Sequence, residues 1–196
     1  VKSIRAADAP AVDRSATSDR EATAIHEAGH AVMHIVLTLG LKTVTVVPDF
    51  VEMSAGAATH GGEWGQAAED FDESDDDTAI LRSAAEDAFW LRHAIACYAG
   101  AEAVRQLRPD RDANAGAESD FDAATDAINQ ITDDADSIAL YFALAKRRCV
   151  LLVKHYAPAI EALATTLLKK SSLSGDEAQD VFRKALRTKG ISLWTW

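Results

Sequence analysis

Apolar residues recur at helical spacing through most of this chain, and only two short stretches have the look of strands. Ser18 and Glu21 form an S-x-x-E capping-box pattern, so a helix is predicted to open at Ser18. Ala24, Ile25, Ala28, Val32, Ile35, Val36 and Leu39 then cover much of its circumference. That distribution predicts a buried central helix, stopping at the cap residue Gly40. Gly29 in its middle costs about 1 kcal/mol relative to Ala, which close approach of another backbone can offset. Residues 42–47 are β-branched and predict a strand ended by Pro48; the small residues 55–60 predict a weaker partner strand.

Residues 61–77 turn to Gly and acid, with seven Asp or Glu between Glu69 and Asp77, and predict an exposed loop. Helical spacing returns over 78–107 through Ile80, Leu81, Ala84, Ala88, Leu91, Ile95 and Tyr98, with Gly100 as a kink or a place of close packing. A polar connection over 109–116 leads to a third helix, 118–131, and a long fourth, 133–156. Pro158 suits the first turn of a new helix ending near Lys170. Ser174 and Glu177 form a second capping box, opening a last helix to about Arg187. The expected organisation is a flexible arm (1–17), one domain (18–190) and an apolar tail (191–196) that docks on this chain or a neighbour. The expected class is mainly α, an α+β fold with one small sheet beside the first long helix.

Composition narrows the function. The chain has 196 residues, 48% hydrophobic, enough for a single sizeable core. With 20 Lys+Arg against 31 Asp+Glu, the formal charge is −11. Such a surface repels phosphate backbones, so no nucleic acid partner is expected. The two cysteines, Cys97 and Cys149, fall in helical patterns and fit buried residues in a reducing compartment, so a cytoplasmic location is expected. No apolar run reaches the roughly 18–20 residues of a membrane span, and the first residues carry no apolar signal-peptide core.

The chemistry concentrates in His26-Glu27-Ala28-Gly29-His30, an H-E-x-x-H pattern inside the first helix. Residues four apart share a helix face, so both imidazoles can reach one metal ion. Glu27 stands beside them, placed as a general base toward a water that the metal acidifies. A catalytic zinc site takes three protein ligands. The metzincin extension is excluded, because Met33 and Val36 stand where it has Gly and His. Glu52 and Glu63 lie at a plausible distance for a third ligand, but in a strand-and-loop region where that pattern has a helix. His34 continues the helix face but sits about 12 Å along the axis from His26, so a role in packing or in supporting the ligands is expected.

A second stretch, Gly116-Ala117-Glu118-Ser119-Asp120-Phe121-Asp122-Ala123-Ala124-Thr125, follows the G-A-x-[NS]-D-[IF]-x-x-A-T pattern. Together with His26-Glu27-Ala28-Gly29-His30-Ala31 it resembles the FtsH family of zinc metallopeptidases. The resemblance implies Asp120 as the third zinc ligand. It extends to Val44-Thr45-Val46-Val47-Pro48 after the zinc helix, to Ala99-Gly100 with Ala103, and to the terminal helices around Leu163-Ala164, Leu167-Leu168 and Leu173 to Glu177. It thus touches most of residues 20–186 in order. The departures are Val104, where the family has Glu, an acidic stretch over 61–77 without counterpart, and no phosphate-cradling Gly-Lys loop.

The expected activity is therefore ATP-independent zinc endopeptidase action on peptides or unfolded protein segments, with His26, His30 and Asp120 as ligands and Glu27 as base. The alternative is a zinc-binding module of the same fold that cleaves little and acts as a binding or regulatory partner. The resemblance allows a ring-shaped homo-oligomer and a separate unfoldase. His60, Glu118 and Asp122 are expected at the surface, and the acidic run is expected to be solvated rather than a calcium loop, since it lacks EF-hand ligand order.

Overall fold

A computed structural model of the chain describes residues 14–48, 57–59 and 76–193. Most of the expected arm, Glu52, His60, Glu63, the acidic run up to Asp75 and the last three residues lie outside these. Among the described residues the fold is mainly helical, with one small antiparallel sheet. Helix α1 spans Arg14–Val36, strand β1 Thr43–Thr45, strand β2 Ala57–Thr59, α2 Asp76–Cys97, α3 Ala99–Leu107, α4 Glu118–Asn129, α5 Ala135–Lys170, β3 Ser172–Ser174 and α6 Gly175–Lys189.

Helix α1 is the central element, packed along α5 and α3. Of the apolar positions that predict its buried face, Ala24, Ile25, Ala28 and Val32 are buried and Ile35 and Val36 only partly so, while Ala31 and Met33 are buried beside them. It begins at Arg14, ahead of Ser18. The S-x-x-E pattern marks a favourable start without barring an earlier one. Its end also differs from expectation. Thr38, at φ 56°, is the left-handed residue; Leu39 N–H donates to His34 O at 3.0 Å and Thr38 N–H to Ile35 O at 3.4 Å. That is a Schellman closure two residues before Gly40. Burial of Leu39 against the core accompanies it.

Two other boundaries depart from local rules. The predicted helix over 78–107 is two helices, broken at Tyr98. Pro158 starts no new helix but lies within α5, which runs 36 residues. An internal proline forfeits one backbone hydrogen bond. Burial of Tyr156, Ala159, Ile160 and Leu163 around it holds the helix together.

The sheet has the order β2-β1-β3, with Val44 opposite Ala58 on one side and Leu173 on the other. Strand β3 is too short to show a pattern in sequence. It exists because α5 ends at Ser171 in the left-handed conformation, φ 66°, which turns the chain back beside β1. Val46 N–H donates to Ser171 O at 2.9 Å and Gly175 N–H to Lys42 O at 2.7 Å. A Cβ on Gly175 would fall 1.8 Å from Leu41 O, so only glycine fits there. Helix α6 then opens on the predicted capping box, in which the Ser174 hydroxyl accepts from Glu177 N–H at 3.2 Å and Glu177 accepts from Ser174 N–H at 3.0 Å. Ile191 packs on the core, and Ser192 O accepts from His155 Nε2–H at 2.9 Å. No described helix is long and apolar enough to cross a membrane.

Candidate metal centre

His26 and His30 stand one turn apart on α1, their rings 4.7 Å apart between centroids and their Nε2 atoms 3.0 Å apart. Asp120 comes from the first turn of α4, and its Oδ2 lies 3.0 Å from His26 Nε2 and 3.1 Å from His30 Nε2. The N-cap of α4 is Ala117, without a side-chain cap bond. Asp120 therefore spends its carboxylate on the histidine pair and not on the helix end. The three side chains form a group able to hold a metal ion.

The spacing fits that role. A tetrahedral ion with nitrogen and oxygen ligands about 2.0–2.1 Å away sets ligand atoms about 3.3 Å apart. Three electron-rich atoms this close repel one another unless a proton or a cation lies between them. Gly100 supplies the necessary room. A Cβ there would lie 2.4 Å from His30 Nε2 and 2.5 Å from His26 Nε2. Gly29 performs the matching service on the other helix: a Cβ would lie 2.6 Å from Ala99 O. The two glycines bring α1 and α3 together at the level of the histidines. Of the two readings of Gly100, close packing holds.

The surroundings set the charge states. His30 donates its Nδ1–H to Ala96 O at 2.9 Å, which aims Nε2 at the shared point, as in histidine metal sites. Burial depresses the His30 pKa, but the hydrogen bond and charge of Asp120 outweigh it and hold the pKa at about 9. Burial lowers that of His26, against its hydrogen bond to Asp120. Burial also pushes on Asp120, yet its bonds to both histidines hold its carboxyl well below the usual carboxylate range. Glu27 is only 6% exposed, and no hydrogen bond holds its carboxylate among the described residues. Burial raises its pKa to about 7.

A cleft of about 290 Å³ reaches His26, walled by Ala22 and Thr23 of α1, Val104 of α3 and the Arg111–Ala115 connection. Arg111 is tied to Asp19 at 3.2 Å, and its Nε is buried without a hydrogen-bond partner among the described residues. His34 takes no part: its Nδ1–H donates to Gly40 O at 3.0 Å. Glu118 and Asp122 are exposed, as expected. Cys97 and Cys149 are free and buried, and burial pushes the Cys97 thiol up to about 12. Sequence reasoning missed the Ala96 carbonyl and Arg111. A backbone carbonyl leaves no trace in residue identity, and Arg111 reads as one charge in a polar turn.

In comparisons with known protein families and with curated proteins, the chain matches none. The site must therefore be read from its own chemistry.

Proposed function

We propose that this chain is a zinc-dependent endopeptidase of FtsH-like type, cleaving peptides or unfolded protein segments without ATP. The observation that carries the reading is the convergence of His26 Nε2, His30 Nε2 and Asp120 Oδ2, with Glu27 buried on the same turn of α1. Two imidazoles and one carboxylate are a zinc donor set that leaves a position for chemistry. Zinc held there supplies Lewis acidity, bringing water to a pKa of about 7 and polarising a scissile carbonyl.

The chain's own groups do the rest. Glu27 accepts the proton of the attacking water and returns it to the leaving amine. Ala96 O holds the His30 ring in orientation through Nδ1. Gly100 keeps the space at the two Nε2 atoms clear of carbon. Strand β2 stands at the outer side of the sheet beside α1, where an extended peptide can add by main-chain hydrogen bonds. Chemistry of this kind needs an accessible backbone, hence peptides and unfolded segments as substrates.

The test measures zinc content and cleavage of fluorescent casein, with and without ATP, for the native chain and for Glu27→Gln. Expected are one zinc per chain in both, ATP-independent cleavage by the native chain, and a loss of about 10²-fold or more in the variant. Zinc bound with no Glu27-dependent cleavage across several unfolded substrates overturns the peptidase reading in favour of a zinc-binding module. Failure to take up zinc on reconstitution overturns both.

A further inference from the structure

A second cavity, of about 640 Å³, lies between α3, α4 and α5 and is lined by none of the three ligand side chains. Its size suits a small organic molecule. Three aromatic rings wall it: Tyr98 and Phe121, whose centroids are 5.9 Å apart, and Phe142. Glu102 also lines it, only 7% exposed, but its two oxygens are occupied by Arg105 and by Gln106 Nε2, the latter at 2.6 Å. That ion pair cancels itself. The charge left over is Lys146, whose ammonium lies 5.4 Å from the Tyr98 ring centroid and 5.9 Å from that of Phe142. No carboxylate among the described residues pairs with it. Burial pushes the Tyr98 hydroxyl up to about 12, so it remains a donor through the neutral range. The lining is thus aromatic, richer in free donors than in free acceptors, and positive by one charge.

We infer that this cavity binds a small amphipathic organic monoanion, its aromatic body packed among Tyr98, Phe121 and Phe142 and its carboxylate against Lys146 Nζ. Rings of this kind hold an aromatic body edge-on or offset. Lys146 is exposed, and its ammonium, lying near two rings, offers a carboxylate a positive charge that no carboxylate among the described residues neutralises. Two of the walls adjoin residues of the metal centre along the chain. Tyr98 precedes by two residues Gly100, which lies against both Nε2 atoms, and Phe121 follows Asp120 on α4. Part of the same inference is that occupancy of the cavity and of the metal centre is coupled, and reciprocally so. None of this rests on peptide cleavage.

The test titrates the full chain with naphthoate and with naphthylmethanol, its uncharged counterpart, by fluorescence. Expected is one saturable naphthoate site, at least fivefold tighter than the alcohol and weakening with added salt. Lys146→Glu removes the preference for the acid, and Thr125→Trp, on the cavity wall, obstructs both ligands. Both positions are exposed, so both variants retain the native far-UV spectrum. Loading zinc shifts the naphthoate midpoint at least twofold. No saturable binding at millimolar naphthoate, equal binding of acid and alcohol, or unchanged binding in either variant overturns the site. An unmoved midpoint on zinc loading overturns the coupling.

Discussion

Gly100→Ala separates the metal centre from the fold around it. The added Cβ would lie 2.4 Å from His30 Nε2, 2.5 Å from His26 Nε2 and 2.6 Å from His26 Cδ2, whereas ordinary contact begins at 3.4 Å. Something must move by about 1 Å, several times the roughly 0.2 Å that metal–ligand distances tolerate. The atoms in the way are the ends of side chains, so the imidazoles swing and the helices stay. The fold cost is then small: overpacking of about 1 kcal/mol set against about 1 kcal/mol of better helix propensity for Ala. The metal cost is large, about 100-fold in zinc affinity or ~3 kcal/mol. Gly29→Ala inverts the pattern. Its Cβ meets the Ala99 backbone oxygen at 2.6 Å and Ala103 Cβ at 2.8 Å, neither of which can swing aside. Forcing α1 from α3 costs about 2–3 kcal/mol even without metal. Zinc affinity is read by competition with a chromophoric chelator, and metal-free stability by urea unfolding. A folded Gly100→Ala chain with native zinc affinity refutes the reasoning, as does a metal-free stability loss equal to that of Gly29→Ala.

Three further outcomes follow from the same geometry. Asp120→Asn keeps the side-chain shape but removes the anionic ligand; zinc affinity drops about 100-fold, and the His30 ring, held at about 9 chiefly by Asp120 against burial, titrates at lower pH by NMR in the metal-free protein. Ser174→Ala opens the capping box on α6 and lowers stability by about 1 kcal/mol in urea unfolding. Glu177 is held below its ordinary pKa by Lys170 and by the Ser174 backbone N–H, and Asp134 by Ser137 at the start of α5. Folded-state values below the unfolded ones mean that both groups stabilise above the ordinary carboxyl range and lose that contribution as pH falls through their folded pKa. Stability measured between pH 7 and 2 declines at the acid end for this reason, and Glu177→Gln flattens part of that decline.

What could be read from the chain alone was what depends on neighbours in sequence. His26 and His30 share a face because a helix repeats every 3.6 residues, and the box at Ser174 is a bond pattern closed within four residues. The buried face of α1 follows from the spacing of its apolar residues. The same local rules misplaced the end of α1 and the break at Pro158, where burial of Leu39 and of Ile160 with Leu163 outweighs a residue's own preference. Asp120 lies 94 residues from His26, and only a resemblance singled it out among many acids. Its approach to the two histidines is decided by tertiary packing: Gly29 against Ala99, Gly100 against the imidazoles, and α4 laid against α2. Helical periodicity could place two candidate ligands on one turn. The third, and the carbonyl that orients His30, depend on how closely separate helices can approach, which is set by the residues lacking side chains where they meet.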